Sequence, residues 1–168
     1  MRILGIDPAL SVTGYGVIDT SNNKLLLIHT GTIITTTEKN YPFRLREIYS
    51  KLLRVVTRFH PNVMVMEKLY IHFRHPTTAY ILGQVKGIIC LLSAEKNIPL
   101  YEYASTRIRK SLIGVGQASK EQIQRMVTGI LNIKRALFST DITDALAAAL
   151  AHYYISRKEN FYQEVAIS

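Results

Sequence analysis

The sequence predicts an α/β domain built on a mixed sheet of five strands, covered by helices. Three observations predict it. Short runs rich in β-branched and aromatic residues crowd the first 36 residues. The apolar period then changes from that of a strand to the three-and-four spacing of a helix. Beyond that change, two more short apolar runs, residues 62–67 and 98–103, stand between the helical stretches. A length of 168 residues suits one domain, and 48% hydrophobic with 20% charged residues is the balance of a chain that buries a core.

Taken in order, residues 2–7 (RILGID) read as a short buried strand. Residues 12–20 (VTGYGVIDT) and 24–36 (KLLLIHTGTIITT) follow as strands, separated by Ser21, Asn22 and Asn23, a turn composition. Three strands with short connections form an antiparallel meander. Residues 43–59 place Leu45, Ile48, Leu52, Val55 and Val56 at helical spacing among arginines and lysines, an amphipathic helix. Residues 62–67 (NVMVME) are the fourth strand. Residues 77–95 are helical and apolar nearly all round, so they need cover on every side: the core on one and a partner subunit on the other. Residues 98–103 (IPLYEY) are the fifth strand, and helices follow near 105–112, 119–131 and 140–157. Strands alternating with helices after the meander give a sheet flanked by helices. Residues 1–157 read as a single domain, and 158–168 as a C-terminal tail expected to be loosely ordered.

Composition excludes several classes. The longest purely apolar run, Ala145–Ala151, has seven residues, short of a membrane span of about 20. The N-terminal run Ile3–Ile6 is too short for a secretory core. One cysteine, Cys90, excludes an intrachain disulfide and a multi-cysteine zinc site, and fits a reducing cytoplasm. A net charge of +9 and a pI near 9.7 suit a nucleic-acid binder. The charge is unevenly placed. Between Arg107 and Arg135 seven bases, among them Arg109, Lys110, Lys120 and Arg125, face the single acid Glu121. From Lys68 to Ala94 there is no acid, while Arg74 and Lys86 lie near His72 and His75. One-signed segments of this kind suit phosphates.

Four of the twelve acids stand in unusual surroundings. Asp7 ends the apolar run before Pro8, and Glu67 ends Val63–Met66. Burying an unpaired carboxylate is costly, so each needs a partner or a metal, and strand ends are where ligands gather in open sheets. Asp141 and Asp144 share one helix face, about 5–6 Å apart at Cβ. Ser139, Thr140 or Asp141 can cap that helix, so a capping role for Asp141 stays open. Together the four suggest a site for Mg²⁺ or Mn²⁺, which prefer carboxylate oxygens. Two such ions about 3.5–4 Å apart can serve phosphodiester hydrolysis without a protein nucleophile. Gly14 and Gly16 lack the setting of a dinucleotide loop and read as strand glycines that admit a close neighbour. His29, His60, His72 and His75 lack zinc spacing, and His152 reads as a packed helix residue. Tyr70, just past Glu67 among bases, is placed either to stack on an unpaired base or to anchor its loop.

The segments ILGIDPALSVTGYGVI, VMEKLY, LGQVKG, IGVGQASKEQIQRMV and DITDALAAALAH, in this order over about residues 2–153, resemble the RuvC-type Holliday junction resolvases. The resemblance implies an RNase H-like fold, three antiparallel strands followed by two parallel ones. It implies a homodimer that nicks opposed strands of a four-way DNA junction in recombination and repair, leaving 5′-phosphate and 3′-hydroxyl ends. It implies that Asp7, Glu67, Asp141 and Asp144 bind Mg²⁺, and that a branch-migration motor of the RuvA and RuvB type is a partner. Tyr70 then occupies the aromatic position beside the junction centre, Lys120 a basic position near the scissile phosphate, and Arg109 a position where many members have lysine. With Arg74, Lys110 and Arg125 these make the expected DNA-binding set. Four features depart from the family pattern: Ala9 in place of glycine, Ser11 in place of arginine, a longer loop IHFRHPTT, and Thr143 between the two aspartates. None removes an acid, but the loop bears on base preference. A junction-binding protein without catalysis, and a nuclease of RNA–DNA hybrids, are the alternatives; four retained acids would only weaken phosphate binding in the first.

Overall fold

Arg2–Asp7 (β1), Val12–Ser21 (β2) and Lys24–Ile34 (β3) make the antiparallel part of a five-stranded sheet. Val63–Glu67 (β4) pairs parallel to β1, and Leu100–Tyr103 (β5) parallel to β4, giving the order β3-β2-β1-β4-β5. The structure, a computed structural model, describes residues 1–21, 24–69, 76–133 and 139–167.

The central strands are apolar on both faces because helices cover both. Leu4, Ile6, Met64 and Met66 pack against Tyr41–Phe59 (α1) and Pro76–Glu95 (α2) through Ile48, Leu52, Val85 and Ile89. Ile3, Val63 and Val65 point the other way, onto Ser105–Ile113 (α3), Lys120–Ile130 (α4) and Thr140–Ile167 (α5). Ser119 starts α4 with a capping box, its hydroxyl accepting from the Gln122 amide while the Gln122 side chain accepts from the Ser119 amide.

One expectation changes. Helix α5 runs on to Ile167, beyond the helix end expected near residue 157. No proline or glycine interrupts residues 141–167, so nothing in the chain stops it. Helix α2 is not uniformly covered. Val85, Ile89 and Leu92 are fully buried under the sheet, while Tyr80, Gly83, Gly87 and Leu91 face outward. Ile89 therefore belongs to the core and not to a partner-facing surface. By length and apolarity Thr77–Glu95 could cross a membrane, but its inner side is spent on the sheet.

Candidate metal centre

Because β1 and β4 run parallel as neighbours, Asp7 and Glu67 leave the sheet at the same end. Their ladder stops at the Ile6–Met66 pair, so the two acids stand where the strands part. Asp7 is opposite Gly14 on β2. A Cβ on Gly14 would overlap the Asp141 carbonyl, and one on Gly5 would overlap that of Ala145. The two glycines, with the alanines at 145, 147, 148, 149 and 151, let α5 lie close on the sheet and bring its first turns to the strand ends. That is how a helix distant in sequence reaches Asp7 and Glu67.

The loop after Asp7 is tied down at several points. The Thr13 hydroxyl donates to the Ala9 carbonyl at 2.6 Å and accepts from the Ala9 amide at 3.2 Å. Thr35 donates to the Leu10 carbonyl at 2.6 Å. The buried Arg44 donates to Thr35 Oγ1 at 2.9 Å and to Ser11 Oγ at 3.3 Å, so α1 braces the loop. Ser11, one of the departures from the family pattern, thus meets an arginine from another element.

Electrostatics show the convergence. Burial pushes the Asp7 carboxyl up to about 7, and the charges of Asp144, Asp141 and Glu67 add to the rise, while Lys120 opposes it. Glu67 is exposed by area, yet its carboxyl is hemmed in by neighbouring atoms. This desolvation raises its pKa first, Asp144 adds to it, and the Ser105 hydroxyl, Arg109 and Lys86 pull it down. Asp144 is raised by burial and Asp141 and lowered by Lys120 and Arg109. Raised carboxylates held together by the fold are a mark of functional sites. Among the described residues no three His, Cys, Asp or Glu side chains stand close enough to hold one ion as placed. Four hard oxygen donors of like charge, with water partly excluded, fit a hard divalent cation.

Capping of α5 falls to Ser139, whose hydroxyl accepts from the Ile142 amide at 3.4 Å and whose carbonyl accepts from the Thr143 amide and hydroxyl at 3.1 Å. Asp141 is therefore not needed as a cap. Lys120 and Arg109 line a hollow with Glu67 and Asp144. Arg125 lies apart, along a groove with Ile113 and Met126, and Lys110 is exposed on α3. Tyr70 and Arg74 lie outside the described residues, as do His72 and His75. His152 shares a 2.9 Å hydrogen bond with the Tyr103 hydroxyl, and burial lowers its pKa, so it is a packing residue. Two contributors were missed. Ser105 acts on Glu67, and Lys86 sits buried beside it, paired with Glu102. A buried lysine on an otherwise apolar helix was the signal for the latter.

The family model described as crossover junction endodeoxyribonuclease RuvC matches residues 3–152. The crossover junction endodeoxyribonuclease RuvC of Thermotoga maritima is 42% identical over 166 residues, covering 98% of this chain and 97% of that protein. That of Thermotoga petrophila is 41% identical over 157 residues, 94% of each. The Thermus thermophilus RuvC structure aligns with a TM-score of 0.87 at 31% identity, covering 95% of this chain and 97% of the other. The T. thermophilus RuvC in complex with Holliday junction substrate aligns at 0.85 and 29% identity, covering 94% and 96%.

Proposed function

Because the chain belongs to the crossover junction endodeoxyribonuclease RuvC family, we propose that Asp7, Glu67, Asp141 and Asp144 are the metal-binding acids of its catalytic centre. The chain is an endonuclease that binds and resolves Holliday junctions, and the family is metal-dependent. The observation that supports the site assignment is that two strand-end acids and two acids of one helix lie near enough for the charges of Glu67, Asp141 and Asp144 to act on Asp7 and that of Asp141 on Asp144. Two Mg²⁺ ions, with Mn²⁺ as substitute, suit this donor set, and when bound they would stabilise the charge that develops on the scissile phosphodiester. Ser105 orients the Glu67 carboxylate. Lys120 and Arg109, beside Asp144, would take the flanking phosphates. At neutral pH the raised Asp7 carboxyl holds a proton part of the time, and ion binding releases it. Neither alternative has a comparable observation behind it. The test is a gel assay of a four-way junction, a duplex and an RNA–DNA hybrid, with and without Mg²⁺. Paired nicks in the junction alone, only with the ion, are expected; equal cutting of the duplex or hybrid would overturn the reading.

Arg109→Ala and Lys120→Ala should each weaken junction binding and lower the slope of log K against log salt by about 0.9, the value for one lost phosphate contact. Unchanged slopes in a salt titration would place both bases away from DNA.

The second copy is proposed to dock on the outer side of α2, where Tyr80 is 68% and Leu91 53% exposed. A two-fold dimer matches two opposed cuts. A Cβ on Gly83 or Gly87 would have no neighbour within 4 Å among the described residues outside its own helix turn. Gly87→Leu should therefore leave the protomer folded but split the dimer, read as monomer mass in solution scattering. A dimer of undiminished affinity would remove α2 from the interface. The exposed Cys90 thiol supports a cytoplasmic location, and a RuvA and RuvB type motor is the partner that family membership implies.

A further inference from the structure

The segment LGQVKG contains one group that the reading above does not use. Lys86 is 6% exposed, on the inner side of α2. Its ammonium donates to the Glu67 backbone carbonyl at 2.6 Å and pairs with Glu102 Oε1, also at 2.6 Å. Burying an ammonium costs more than burying an apolar chain of the same volume, so packing alone does not call for lysine here.

The position explains it. Strand β4 loses its β1 neighbour after Met66. Beyond that point the chain is held on the other side only, by the Lys68 amide donating to the Tyr103 carbonyl at 2.8 Å. The Glu67 carbonyl accepts from Lys86 in place of a strand partner. Glu102, paired with Met66 across β4 and β5, fixes the other side of the ammonium. We propose that Lys86, braced by Glu102, is a positioning residue: by clamping the Glu67 carbonyl it sets the direction in which the Glu67 side chain leaves the parting strands. With its ammonium held between two protein oxygens and its side chain 8% exposed, Lys86 presents little of its charge to a phosphate. Its removal should act on the acid centre and leave DNA affinity intact. This rests on the catalytic reading of Glu67.

The test uses the full-length protein with Lys86→Met, Lys86→Arg and Glu102→Gln. Lys86→Met should bind junction in EDTA as the parent does. It should bind Mn²⁺, followed by the electron paramagnetic resonance of the free ion, about tenfold more weakly, and lose about 10–100-fold in kcat with KM unchanged, the scale for an outer partner of a metal ligand. Lys86→Arg should recover most of both losses, and Glu102→Gln should fall between. Mn²⁺ binding and kcat within twofold of the parent in folded Lys86→Met would overturn the proposal. So would a variant that melts early but keeps full kcat per folded molecule, because Lys86 would then only fasten α2. A parent that binds junction but does not cut would sink the catalytic reading itself, a separate outcome.

Discussion

Asp7→Asn is expected to stop junction cutting, by on the order of 10³-fold or more, while junction affinity stays within a few-fold of the parent. The scale is that of removing one group that serves the charge developing at the reacting centre. Binding should survive because the bases proposed to take the phosphates are other residues: Lys120 and Arg109 lie beside Asp144, on α4 and α3. The amide keeps the shape of the acid and its place opposite Gly14, so the fold has no reason to move. Nicking by Asp7→Asn within a few-fold of the parent in single-turnover assays would remove Asp7 from the catalytic set. Loss of binding together with cutting would mean that the acid shapes the DNA surface.

In EDTA, the protein is expected to lose stability as pH rises from about 4 to about 7, and Asp7→Asn to restore it. The Asp7 carboxyl is raised from 3.8 to about 7 in the folded state. Below 3.8 both folded and unfolded chains carry the proton and there is no penalty. Between the two values the unfolded chain is ionised while the folded one keeps its proton, so stability falls with pH. Above 7 the penalty is complete, about 4 kcal/mol for a shift of this size. Glu67 and Asp144 are raised in the same direction. At pH 8 the amide should therefore raise the melting temperature by on the order of 10 °C in a domain of this length. Equal melting of parent and variant at that pH would show that the acids do not press on one another.

The central strands β1 and β4 were legible because they are short, apolar on both faces and end in acids. Asp7 and Glu67 stood out because a carboxylate directly after four apolar residues has no bland explanation. The contact that completes the site was half visible. Gly14 and Gly16 announced a close neighbour, but the periodicity of VTGYGVIDT does not say that the neighbour is the Asp141 turn of α5. The inner and outer sides of α2 were illegible, since a helix apolar all round carries no periodic signal and only packing separates Ile89 from Leu91. The Lys86–Glu102 pair was hidden for a related reason: the two residues lie on different elements and meet only when β5 is laid beside β4. The extension of α5 to Ile167 was missed because charged and polar residues after Arg157 suggest solvent, and solvent exposure does not end a helix that lacks proline and glycine.

The central claim is that the four acids belong to one metal centre, which the fold holds together at a cost. Melting of the parent and of Asp144→Asn across a Mg²⁺ titration tests it most directly. An ion that binds the native arrangement and not the unfolded chain raises the melting temperature by mass action. The parent should start low in EDTA and climb steadily into the millimolar range, while Asp144→Asn starts as high or higher, hardly climbs and does not cut. Parallel climbs in the two proteins, or an Asp144→Asn that starts about 2 kcal/mol less stable than the metal-free parent, the size of a lost cap or buried polar bond, would contradict it and make Asp144 a structural residue.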